Sequence, residues 1–218
     1  MLLSESAVSM KNAALGFRMH SGWGAVVAVS NEGKFEVVDR RHIVLTKSRD
    51  PALKQPYHHV ESFELKAAGE YLAKCSATSG QLALTAVREI LVELADRKYQ
   101  VRASAILAAS GRTLPSLEKV LASHPLIHTA EGEFFRAIVH KACEEAGLAV
   151  VRLRERELEE DIEKSFGSKA NHLKQCVSGL GKHLGPPWTQ DEKFAALAAA
   201  LVLASGDPSL ARVPPCSP

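Results

Sequence analysis

At 218 residues and 46% hydrophobic content, the chain is long enough for one sizeable core or two small ones. A formal charge of +2 with 24% charged residues excludes a polycation and an acidic solvating chain, so any basic surface has to be local. The apolar run "FAALAAALVLA" from Phe194 is roughly half the ~20 residues of a membrane span, and "MLLSESAVSMK" lacks the basic start and apolar centre of a signal peptide. The expectation is a cytoplasmic protein without membrane contact.

Residues 1–12 read as a flexible end, 13–205 as a single domain and 206–218, "PSLARVPPCSP" and its approach, as a proline-rich disordered tail. Within the domain, "AALGF" and "GWGAVVAVS" are rich in small and β-branched residues, and "NEG" at residues 31–33 supplies a reversing turn. "FEVVDRRHIVL", from Phe35 to Leu45, is the third strand of a meander. "TKSRDPALKQPYHH" has two prolines and no period, which predicts a long loop.

From Val60 to Arg97 the period is helical, with a break expected at "SATSG"; Ala83, Val87, Ile90, Leu91 and Leu94 share one face. "VRASAILAAS", Val101 to Ser110, is apolar enough for a central strand covered on both sides. A loop and a short helix within "GRTLPSLEKVLASHP", and a longer helix from about Leu126 to Ala146 stopped by Gly147, follow. "LAVVRLR" is a short strand, "ERELEEDIEKSF" a charged helix, and "TQDEKFAALAAALVLAS" a final helix with Thr189 as N-cap. The cysteines Cys75, Cys143, Cys176 and Cys216 lack metal-type spacing, consistent with a reducing compartment.

Strands joined by helical crossovers must run parallel, and the first strand is then central. This order is that of RNase H-like α/β folds: a five-stranded mixed sheet flanked by helices on both faces. The stretch "ALGFRMHSGWGAVV" resembles the opening of RuvC-type Holliday junction resolvases, with Leu15, Gly16, Phe17, Ser21, Gly22, Trp23, Gly24, Val26 and Val27 matching. Arg18 stands at the family's aspartate and Met19 at its proline. "NHLKQCVSGLGKHLGPPWTQDEKFAALAAALVLA" is similar to the family's closing segment.

The resemblance implies four carboxylates holding two divalent metals that activate water and stabilise the leaving oxygen. Here Arg18 replaces the first acid, "VRASAILAAS" offers none, Asp191 matches one, and Phe194 stands where the next is expected. Two-metal nuclease chemistry is therefore not expected. No resident cofactor or metal is expected either, magnesium entering only if that chemistry survives. Arg18 reads either as an ion-pair partner, Asp191 being the candidate, or as an anion clamp.

The edge at which the first, third, fourth and fifth strands end collects Arg18, His20, Lys47, Arg49, Lys54, His58, His59, Arg112 and Arg152 or Arg154, with few acids in view. Tyr57 offers a stacking surface for a base. Ligand-binding candidates are Arg18, His20, Arg49, Tyr57, His58, Arg112 and His124. In "HPLIHTAEGEFFR", Pro125 places His124 ahead of the helix, while His128 and Glu131 share a face as a ligand pair, a general-base pair or a local hydrogen bond. The leading reading is a non-catalytic protein binding nucleic acid or another phosphate-bearing anion. The alternatives are a hydrolase or phosphotransferase rebuilt on His128, Glu131 and Asp191, and a subunit that meets a protein partner.

Overall fold

The computed structural model describes residues 10–32, 34–47, 50–109 and 113–206. Strands β1 (Lys11–His20), β2 (Trp23–Ser30) and β3 (Glu36–Val44) form the expected meander, and β4 (Tyr99–Ala108) and β5 (Ala149–Arg154) complete a sheet of order β3-β2-β1-β4-β5. β1 runs antiparallel to β2 and parallel to β4, which is parallel to β5. This five-stranded mixed sheet with helices on both faces has the topology expected of an RNase H-like α/β fold, with β1 at its centre. The β1–β2 turn is only Ser21 and Gly22, and Gly22 has φ +80°, where a side chain would be strained.

Alternation along β1 sorts its residues between two cores. Ala14 and Gly16 face the last helix, α9 (Gln190–Gly206), whose Ala195, Ala196, Ala198 and Ala199 are buried against the sheet. Helices α6 (Leu158–Phe166) and α7 (Ala170–Gly179) close that core with Leu158, Ile162 and Leu173. The helix comes so close that a Cβ on Gly16 would lie well inside van der Waals contact of the Ala195 carbonyl. Small residues on both sides are the cause of that proximity. Leu15, Phe17 and Met19 point the other way, onto α3 (Leu65–Asp96) and α5 (His124–Glu145), where Val87, Ile90 and Phe135 are buried.

Three expectations change. No break occurs at "SATSG": α3 is continuous, because its buried stripe Ala68, Leu72, Cys75, Ser79, Ala83, Val87 passes straight through and Gly80 meets no neighbour that would profit from a kink. At ~1.5 Å per residue α3 is ~48 Å long, against ~33 Å for the ten residues of β4. Its N-terminal part therefore overhangs the sheet and forms a smaller cluster, Val60, Ala68 and Leu72 with Leu117 and Leu121 of the short helix α4 (Leu117–Leu121). The expected loop contains two one-turn helices, α1 (Pro51–Lys54) and α2 (Pro56–His59), each started by a proline whose missing N–H is no loss in a first turn. α5 begins at His124 itself, with Ser123 as the extended residue ahead of it, so His124 is helical rather than outside the helix. A further short helix, α8 (Gly181–Leu184), precedes α9. No described helix is long and apolar enough to cross a membrane.

Candidate functional site

α9 opens with a capping box that fixes which strand each of its two acids meets. The Thr189 hydroxyl oxygen accepts from the Asp191 N–H at 3.2 Å, and the Glu192 carboxylate accepts from the Thr189 N–H at 2.7 Å and its hydroxyl at 2.6 Å. His42 Nε2 of β3 lies 2.8 Å from the other Glu192 oxygen. Burial alone would raise the Glu192 carboxyl, but the bonds from Thr189 and His42 outweigh it and hold the group at about 2. Thr189 is thus the cap its position suggested.

With Glu192 engaged in the cap, Asp191 reaches β1. Arg18 Nη1 donates to Asp191 Oδ1, and His20 Nε2 lies 3.0 Å from the same oxygen. The other fork of Arg18 meets Glu155, the first residue after β5: Nε donates at 3.0 Å and Nη2 at 2.7 Å to its two oxygens. The Glu155 hydrogen bonds raise the Arg18 pKa most, against a burial effect of opposite sign, with Asp191 adding to the rise. Phe194 completes the arrangement, its ring centroid 5.2 Å from the Arg18 guanidinium carbon. His20 stacks on Trp23 at 4.5 Å.

The ion pair anticipated with Asp191 is present, and Glu155 is the partner that sequence reasoning missed. Its signal was its position, immediately after the fifth strand at the edge where Arg18 ends its own. A magnesium pair of the kind the resemblance implies does not fit these residues: a guanidinium stands where the first acid would be and is bonded to Asp191, the one carboxylate at an expected ligand position, and a phenyl ring lies on its face.

The edge is also less basic than expected. Arg152 is paired with Glu133, and Arg154 and Arg156 with Glu157 at 2.9 and 3.3 Å. Arg136 differs. Its Nε donates to the Leu107 carbonyl at 2.9 Å and Nη1 to that of Gly132, while the nearest carboxylate, Glu133, is 3.8 Å away. Burial lowers its pKa. An open cleft of about 650 Å³ is lined by Arg18, His20, Arg136, Glu155, Arg156 and Phe194.

A second constellation forms around Glu131, which is 5% exposed. Its carboxylate accepts from the N–H groups of Tyr57 and His58 at 3.4 and 3.2 Å, the first two donors of α2 after Pro56, and from His58 Nδ1 at 2.7 Å. Burial raises its pKa, and the bonds from His58 and Tyr57 oppose the rise. The Tyr57 ring is half-buried, edge-on against Phe134 at 5.9 Å, and lines a cleft between α3 and α5 away from the sheet edge. Helical spacing brings His124 Nε2 to 3.1 Å from His128 Nε2, and each of His58, His124 and His128 offers one ring nitrogen within 4.8 Å of the others. These three could hold a metal. The third histidine was invisible in the motif because it arrives from α2.

Arg18, His20 and Asp191 are therefore brought together in one place, and His58, His124, His128 and Glu131 in another. Arg49 and Arg112 lie outside the described residues.

No protein-family model matches the sequence, and no curated protein sequence matches it. Among solved structures, RuvC from Thermus thermophilus is similar both in complex with a Holliday junction substrate and in a second structure, each with a TM-score of 0.48 and 13% identity over 89% of this chain. The coverage is 94% and 95% of those chains. A Ppx/GppA family protein from Aquifex aeolicus is similar at a TM-score of 0.36 and 10% identity over 73% of this chain and 40% of that one. Each is a distant resemblance in fold.

Proposed function

We propose that the chain is a binding protein of RNase H-like fold that takes a phosphate-bearing anion, nucleic acid foremost, in the sheet-edge cleft and does not cut it by two-metal chemistry. The observation that carries the reading is Arg18 bonded to both Glu155 and Asp191. Two dications close together repel each other unless acidic oxygens neutralise them, and here those oxygens already face the protein's own cation. Anion capacity remains nonetheless. Arg18 uses three of its five N–H groups, Arg136 Nη2 has no hydrogen-bond partner among the described residues, and the Arg156 side chain is 70% exposed.

A labelled four-way junction and a labelled single strand, titrated at several salt concentrations with pyrophosphate as competitor, test this. Binding should weaken steeply with salt and fall further in Arg136→Ala and Arg156→Ala, with no cleavage in magnesium or manganese. Absence of binding at low salt would remove the anion reading, and metal-dependent cleavage by the unaltered chain would restore the nuclease. Arg18→Asp sharpens the test: magnesium should raise the melting temperature of that variant and leave the parent unchanged. A single hydrolytic site built on His128, Glu131 and Asp191 has less support, because Asp191 is bonded to Arg18 and His20 while Glu131 is bonded to His58. Salt-independent association with a protein would instead favour an interaction subunit.

A further inference from the structure

We propose that His58, His124 and His128 bind one divalent transition-metal ion of the zinc type through their Nε2 atoms, a site that does not depend on the anion-binding reading of the sheet-edge cleft. The assignment of ligand atoms follows from what the opposite ring nitrogens do. His58 Nδ1 is held by Glu131 at 2.7 Å, and His124 Nδ1 faces Glu61 Oε1 at 3.9 Å. A carboxylate on Nδ1 is the usual outer-sphere support of a metal-binding histidine, because it orients the ring and presents the Nε2 lone pair to the ion. The Nε2 atoms of His124 and His128 already converge at 3.1 Å.

Two nitrogens bound to one tetrahedral zinc at ~2.05 Å sit about 3.3 Å apart, so the pair on α5 needs almost no adjustment. A ring nitrogen of His58 lies within 4.8 Å of the pair, so a small movement of this side chain closes the set. Its carrier, α2, is pinned to α5 through the Tyr57 and His58 N–H groups, which fixes His58 beside the pair rather than leaving it on a free loop. The histidine rings also pack edge-on, His58 against His124 at 5.6 Å and against His128 at 4.7 Å, so all three occupy one patch.

Location at the start of α5 is electrostatically adverse for a cation, since a helix N-terminus carries partial positive charge. Glu131 and Glu61 supply compensating negative charge. Imidazole ligands select zinc, copper, cobalt or nickel over magnesium and calcium, which prefer oxygen. With His124 and His128 both exposed, the fourth coordination position faces solvent, so the site is of the open kind that carries a water or an anion.

The test uses the full chain, stripped of metal with a chelator and titrated with zinc against a chromophoric competitor, then with cobalt(II) followed by visible absorption. One zinc per chain and a tetrahedral cobalt spectrum are expected. His124→Ala and His128→Ala alter exposed side chains, which keeps the fold intact, and each should weaken zinc by about 100-fold or more. Loss of an inner ligand should exceed the ~10–100-fold cost of losing an outer-sphere partner. Glu61→Gln should fall at or below the low end of that range, and His183→Ala, outside the cluster, should change nothing. Absence of saturable binding by folded parent chain, or binding indifferent to both His124→Ala and His128→Ala, would overturn the assignment.

Discussion

The polar clusters around Arg18 and His58 use the same components to opposite ends. Around Arg18 the carboxylates of Glu155 and Asp191 face a permanent cation of the protein itself, and the result is a closed knot tying β1, the end of β5 and the start of α9. Around His58, Glu131 faces an imidazole, and a carboxylate on one ring nitrogen leaves the other available. The first arrangement stabilises the fold with acids that could have held metal; the second aims acids so that neighbouring groups can hold metal. What a carboxylate contributes depends on whether its partner has a second face to offer.

The largest effect is expected from breaking the knot at its mechanical base. Gly16→Val should cost more than about 3 kcal/mol in chemical denaturation, because the new side chain would collide with the Ala195 carbonyl and the α9 backbone rather than with a movable side chain. Next comes the cation. Arg18→Met leaves Glu155 and Asp191 facing each other in a partly buried setting, for a loss of about 3 kcal/mol, the low end for breaking a buried pair because the site is partly solvated. Weaker destabilisation with magnesium added than without it would show the freed acids recruiting an ion.

The cap that presents Asp191 gives a comparable effect with a pH signature. Glu192 is held at about 2 against an ordinary 4.5, so its contribution is complete above pH 4.5 and is lost as pH falls towards 2. At roughly 1.4 kcal/mol per pH unit the loss comes to at most about 3.5 kcal/mol, and Glu192→Gln should flatten that part of the stability profile while costing about 2 kcal/mol at neutral pH. Smallest is His124→Ala in the metal-free protein, within about 0.5 kcal/mol by thermal melting. A larger loss there would mean that the histidine cluster is itself a structural knot, and the contrast between the two regions would disappear.

Much of the fold was legible because its signals are local. The meander, the central β4 and the Thr189 cap all follow from runs, turns and caps a few residues long. The unbroken α3 was not, since "SATSG" looks like a breaker in isolation and only the buried Cys75 and Ser79 carry the stripe across it. The site was half legible. Arg18 with Asp191 could be inferred from their places at the ends of β1 and α9, but Glu155 and His58 come from distant parts of the chain, and no periodicity relates His58 to His124 and His128. Composition cannot tell which neighbours an aromatic side chain meets, and it is the turn of α2 that sets the Tyr57 ring edge-on against Phe134.

The overhang of α3 has a consequence for how the molecule divides its labour. The first four turns of that helix do not touch the sheet's main cores; with Val60, Leu117 and Leu121 they make a small porch of their own, and α2 rests on it. Residues on the porch can change without disturbing the floor of the house. His58 is thereby carried by the porch while His124 and His128 ride on α5, whose later turns reach the sheet, so apolar changes under α2 can move one ring of the cluster against a pair that the core holds in place.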